Sequence, residues 1–212
     1  MRKLELYYSP GAASLVVHWL LIELNLPHLL HALDLSKAEH KSADYLKLNP
    51  AGVVPTLLID GKAITEAAAI CLHLADSFKG SRLAPVPGTL ERARYYQWMF
   101  FCANTLQPAY RTWFYPAEVA GAANADAAKD AARSKIEAAW RQVEAHLATT
   151  GPYLLGAQMT TVDFMLTMLM RWSRNMPTPA HTSPVLAAYA ARMKSLPSFV
   201  ELCAREGLTE WA

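Results

Sequence analysis

The chain has 212 residues, 53% of them hydrophobic and 18% charged, with a formal net charge of +2. That is enough apolar material for one large domain or two small ones, and too much for a disordered chain. The small charge gives no basis for nucleic acid or an anionic membrane surface as partner, and no apolar run reaches membrane-spanning length, since Leu15 to Leu24 is interrupted by His18 and Glu23.

Leu4, Leu6 and Tyr8 alternate with Lys3, Glu5 and Tyr7, which predicts a strand ended by Ser9-Pro10-Gly11. Leu15, Val16, Trp19, Leu20, Ile22 and Leu24 recur at helical spacing until Asn25 and Pro27 stop them. His28 to Leu35 reads as a second strand and Tyr45 to Leu48 as a short helix. Thr56 to Ile59 and Ala63-Ile64 form a hairpin around Asp60-Gly61, and Glu66 to Phe78 reads as a helix. Lys79 to Gly88, with two glycines and Pro85 and Pro87, is the best linker in the chain. Beyond it only helical patterns appear: Leu90 to Val119, Asp126 to Leu147, Val185 to Leu196 and Phe199 to Arg205. Thr160 and Asp163 have the spacing of a capping box, with Met159 and Phe164 as its staple.

The three cysteines, Cys71, Cys102 and Cys203, are odd in number, widely spaced and form no CxxC pair. Their pattern predicts buried thiols in a reducing cytoplasm rather than a disulfide framework or zinc site. Arg2 and Lys3 are followed by Glu5 with no cleavage site, so no signal peptide is read.

Three stretches carry more than a fold. They are Tyr8-Ser9-Pro10-Gly11-Ala12-Ala13-Ser14-Leu15, Asn49-Pro50-Ala51-Gly52-Val53-Val54-Pro55-Thr56-Leu57 and Ile64-Thr65-Glu66-Ala67-Ala68-Ala69-Ile70. In this order, ahead of an all-helical half, they resemble a cytosolic glutathione transferase over its full length, nearest the bacterial beta-type group. The resemblance implies a thioredoxin-like α/β domain over 1–79, a linker over 80–88 and an all-α domain over 89–212 that contributes the acceptor pocket. It also implies a cis bond at Val54-Pro55, a homodimer, a cytoplasmic location and a role in detoxification. Glutathione is then the co-substrate, a small hydrophobic electrophile the second substrate, and no metal is involved.

Each expected contact has a physical reason. Glutathione is an extended anionic tripeptide, and Val54, ahead of Pro55, offers its backbone N–H and C=O as an added strand would meet them. Glu66 accepts from the γ-glutamyl ammonium, and the amides from Ala67 onward suit a carboxylate at a helix start. Lys37 aligns with a ligand of the glycyl carboxylate but reads equally as a solvated charge in its loop, while Asn104 and Gln107 read either as hydrogen-bonding the thiol or the glycyl group or as helix-surface or interhelical residues. A free thiol is only about 3% ionised at neutral pH, and one charged hydrogen bond lowers its pKa by about one to two units. Ser14, ahead of Tyr8, is the expected donor, although Ser14 also falls where a helix cap would and Tyr8 reads equally as a core tyrosine.

The sequence departs from the beta-type pattern at Ala13, where that group has cysteine, at Gln107, where it has histidine, and at Ala67, where serine is usual. These changes keep a second reading open, a non-catalytic glutathione-binding or interaction protein of the same fold. Tyr110, Trp113, Phe114 and Tyr115 read either as the lining of a hydrophobic pocket or as interhelical core.

Overall fold

The structure, a computed structural model, describes residues 2–78, 80 and 82–211. Lys79 and Ser81 of the expected linker lie outside the described residues. Contacts divide the chain into two units, one running to Leu83 and joined by Lys194 onward, the other spanning Ala84–Met193. The expected bounds placed everything after residue 88 in one helical domain, whereas the last helix packs with the first unit.

In chain order the first unit holds β1 (Leu4–Tyr8), α1 (Leu15–Glu23), β2 (Leu29–Ala32), α2 (Ala43–Leu48), β3 (Thr56–Ile59), β4 (Lys62–Ile64) and α3 (Ala67–Ser77). The second holds α4 (Leu90–Phe101), α5 (Gln107–Phe114), α6 (Pro116–Ala120), α7 (Ala125–Thr150), α8 (Thr161–Trp172) and α9 (Pro184–Lys194), and α10 (Pro197–Glu206) returns to the first. The sheet runs β2-β1-β3-β4, with β1 parallel to β2 and antiparallel to β3, and β4 antiparallel to β3. The β3–β4 turn has positive φ at both Asp60 (49°) and Gly61 (78°), the conformation that matches a two-residue hairpin to strand twist. Strand β2 is shorter than the expected His28 to Leu35. The Asp34 carboxylate gathers the Ser36 and Lys37 amides and turns the chain.

Leu15 to Leu21 of α1 are all buried, so this helix needs cover on every side. The sheet, α3 and α10 supply it within the first unit. Trp19 Nε1 donates to the Ser198 hydroxyl at 2.9 Å, which donates on to Glu23. Each large apolar side chain buried this way contributes about 1.5–3 kcal/mol.

In the second unit the pattern from Leu90 to Val119 proves to be three helices rather than one. Pro108 has no N–H for the Asn104 carbonyl, and a π-helical turn, Cys102–Leu106, stands ahead of α5. Pro116 then drives Tyr115 out of helical geometry (φ −130°, ψ 56°) and starts α6. The expected capping box at Thr160 and Asp163 is present. Asp163 is fully buried and accepts the Thr160 N–H at 2.8 Å, the Leu154 N–H at 3.0 Å and the Tyr189 hydroxyl at 3.1 Å. All three cysteines are buried, and burial pushes the Cys71 thiol far above its usual range.

Candidate functional site

One end of the sheet collects the expected residues of the first unit. Tyr7 pairs with Thr56 and Leu57 with Ile64, so the register carried onward sets Pro55 between Tyr8 and Glu66. On the other side Tyr8 pairs with Ala32, and its carbonyl accepts the Leu33 N–H at 2.8 Å. The 33–37 loop, the turn after Tyr8, Val54-Pro55 and the start of α3 therefore share that end.

The Val54-Pro55 bond is cis. The loop before it is held by two side chains whose role sequence reasoning missed. Tyr45 donates to the Val53 carbonyl at 2.6 Å, and its oxygen lies 2.8 Å from Thr56 Oγ1. Asn49 Nδ2 donates to the same carbonyl at 2.8 Å, and Asn49 Oδ1 accepts the Ala51 N–H at 3.1 Å. The Val53 carbonyl is thus doubly occupied. Among the described residues the N–H and C=O of Val54 have no partner, which leaves a short open edge.

Glu66 ends the other flank with φ 66° and ψ 106°, a conformation uncommon outside glycine that costs about 1–3 kcal/mol and gathers at functional sites. Its carboxylate is exposed and caps nothing. The Ile70 N–H is the first to bond back, to the Glu66 carbonyl, so the amides of Ala67, Ala68 and Ala69 remain available at the helix start. An acid and three donors thus stand together, a pattern suited to a zwitterionic amino-acid head.

The turn after β1 corrects the expected thiol donor. Ser14 Oγ is wholly buried, donates to the Ser9 carbonyl at 3.1 Å and accepts the Ser9 N–H at 3.1 Å. Its single proton is committed to holding the turn, so it has none to offer a ligand. Tyr8 is half-buried rather than core, and among the described residues nothing hydrogen-bonds its phenol. Burial, then the charge of Glu206, pushes that phenol above its usual range, so it stays protonated at neutral pH.

Glu206 itself was not visible as a site residue, because nothing in a pattern links it to a turn 195 positions away. Its Oε2 accepts the Gly11 N–H at 2.8 Å, and its Oε1 lies 2.8 Å from His18 Nδ1. Both side chains are completely buried, and the His18 ring sits 5.5 Å from that of Tyr8. The last helix thereby clamps the turn that carries Tyr8.

Lys37 is not poised as expected. Its ammonium lies 3.1 Å from Asp34 Oδ2, and that carboxylate, held first by the Ser36 hydroxyl and then by Lys37, falls to about 2. Asn104 and Gln107 belong to the second unit, Asn104 exposed in the π turn and Gln107 half-exposed at the first position of α5. Of the aromatic cluster, Tyr110 is core, its hydroxyl accepting Trp140 Nε1–H at 2.9 Å, while Phe114 and Tyr115 are about half exposed. A cleft of about 270 Å³ beside the end of α1 and α10 has none of the candidate residues in its lining. Among the described residues no group of three or more His, Cys, Asp or Glu side chains is placed to hold a metal.

Comparison with known proteins agrees with this geometry. The glutathione S-transferase N-terminal domain family matches residues 12–77, and the C-terminal domain family matches residues 126–192. Glutathione S-transferase GST-4.5 of Xanthomonas campestris is 33% identical, with 90% of this chain and 92% of that protein covered. The chain belongs to the glutathione S-transferase family. Solved structures of family members superpose closely. The bacterial enzyme BphK in a ternary complex is 35% identical with a TM-score of 0.86, over 96% of this chain and 100% of that one. A sphingomonad glutathione S-transferase complexed with glutathione is 30% identical with a TM-score of 0.85, over 97% and 100%. The thioredoxin-like sheet followed by helices is therefore the glutathione transferase fold, and the chain is an enzyme of that family.

Proposed function

We propose that this transferase joins the glutathione sulfur to a small hydrophobic electrophile, as a cytoplasmic homodimer that detoxifies such compounds. The open edge at Val54, flanked by Glu66 and by the turn after Tyr8, is the observation that carries this reading. Glutathione lies across that edge, its cysteinyl backbone paired with Val54 beside Pro55. The Glu66 carboxylate accepts from the γ-glutamyl ammonium, and the amides from Ala67 onward take the γ-glutamyl carboxylate. The sulfur faces the start of α1, where the Tyr8 phenol donates to it and the helix field favours the anion. The thiol proton leaves to solvent, the thiolate lone pair forms the carbon–sulfur bond, and the leaving group departs with its electron pair. Glutathione-dependent turnover of a chloronitroaromatic tests this. Measurable turnover supports it, and retention on glutathione-agarose without turnover would favour the non-catalytic reading.

Glu66→Ala is expected to weaken glutathione binding by about 1.5–3 kcal/mol, the worth of a charged hydrogen bond. Unchanged affinity by calorimetry in a folded variant would remove Glu66 from the site.

The homodimer rests on the family plan and on Leu90, Tyr96 and Phe100, apolar side chains exposed along α4. Sedimentation is expected to show a species of twice 23.4 kDa at micromolar concentration, and a monomer there would contradict it.

A further inference from the structure

We propose that the imidazoles of His18 and His28 together hold one soft monovalent cation, Cu(I), between α1 and the loop ahead of β2. This is independent of the glutathione reading. The end of α1 brings the two rings together. Asn25 has φ 50°, and the Asn25 and Leu26 N–H groups donate back to the Ile22 and Leu21 carbonyls at 2.8 and 2.9 Å, so the chain reverses. The ring centroids then lie 5.6 Å apart with their planes at 79°. In each ring Nδ1 is already engaged. That of His18 donates to Glu206 Oε1 at 2.8 Å, and that of His28 to the Leu26 carbonyl at 2.7 Å. A carbonyl only accepts, and so does a carboxylate, so both protons sit on Nδ1 and the neutral rings carry a lone pair on Nε2. Both Nε2 atoms are buried and have no hydrogen-bond partner. Burial also pushes the His28 imidazole below its usual range, which keeps it neutral at neutral pH.

Two buried acceptors without a donor are costly, and a cation relieves both at once. An imidazole whose Nδ1–H is held by a carboxylate or a carbonyl is oriented as a metal ligand and made more basic. Two metal–nitrogen bonds of about 2 Å, with about 1.1 Å from each nitrogen to its ring centre, span about 6 Å when collinear. The observed 5.6 Å fits a slightly bent arrangement.

The number of donors and their charge select the ion. Among the described residues no third His, Cys, Asp or Glu joins the pair, which serves zinc poorly because it takes four ligands. Closed-shell Cu(I) is satisfied by two, and imidazole suits copper. One positive charge next to the Glu206 carboxylate leaves the buried group neutral, whereas a divalent ion would leave a net charge there. Arg205, which faces His28 from α10, is paired with Glu201. The cleft of about 270 Å³ beside α1 and α10 has His28 and Leu21 in its lining, and Leu21 stands one turn from His18, which gives the ion a way in.

Competition against bicinchoninate for Cu(I) in air-free solution, with the parent and His28→Leu, tests the site. The parent is expected to withdraw one equivalent of copper per chain, and His28→Leu to hold it at least about tenfold more weakly. X-ray absorption of the copper-loaded parent is expected to show two nitrogen neighbours at about 2 Å and no sulfur. That measurement needs the parent alone, so it decides the matter if His28→Leu does not fold. A parent that withdraws no copper overturns the proposal, as does equal withdrawal by the two proteins. Sulfur at about 2.3 Å would overturn it too, by placing the ion on one of the buried cysteines. Zinc(II) held as firmly as Cu(I) would overturn the two-ligand assignment.

Discussion

Replacing Glu206 by alanine is expected to lower stability by about 3–5 kcal/mol, the usual cost of breaking a fully buried pair from one side. Both carboxylate oxygens are in use, one by the Gly11 N–H and one by His18 Nδ1, and neither side chain of the pair has any exposed surface. Removing the carboxylate takes an acceptor from the half-buried Gly11 N–H and the hydrogen-bond partner from the buried His18 ring. It also frees the turn that carries Tyr8, so glutathione affinity is expected to fall in whatever fraction remains folded. Glu206→Gln keeps one acceptor and should lose less. Chemical denaturation measures both variants, and a loss under about 1 kcal/mol for the alanine variant would show that the clamp contributes little.

Asp163→Ala is expected to cost about 3 kcal/mol, above the 0.5–2 kcal/mol of a lost helix cap alone. The excess comes from burial. The carboxylate bonds the Thr160 N–H at the start of α8, but also the Leu154 N–H and the Tyr189 hydroxyl, so one side chain ties a loop and α9 to the helix. Burial pushes its carboxyl above the usual range, yet four donors in all converge on it, which is the signature of a structural acceptor rather than a proton shuttle. Asp163→Asn should lose less, since it keeps one acceptor. If Asp163→Ala kept its melting temperature and lost turnover, this assignment would be wrong.

What could be read before the structure follows from how local each signal is. The strand of Leu4, Leu6 and Tyr8, the Asp60-Gly61 hairpin and the Thr160–Asp163 box are written within a few residues, and each appears as expected. Period alone overran the prolines at 108 and 116, because apolar spacing continues across a break in backbone hydrogen bonding. The cis bond at Val54-Pro55 and the fold came from resemblance rather than from any local preference. Ser14 was misjudged because a hydroxyl at a helix start reads the same whether its proton points outward or, as here, back to Ser9. Glu206 was invisible for the opposite reason. Its partner, Gly11, is supplied by tertiary packing and lies outside any motif that contains it.

The central claim is that this end of the sheet turns glutathione into a nucleophile, and the thiolate absorbance of the bound tripeptide reports on that directly. Titrated against pH in the parent protein at saturating glutathione, the thiol is expected to ionise about one to two units below its free value of about 8.5, with Tyr8→Phe moving it back up and Ser14→Ala leaving it where it was if the variant folds. A bound thiol that stays protonated through neutral pH would contradict the account and leave a protein that holds glutathione without activating it.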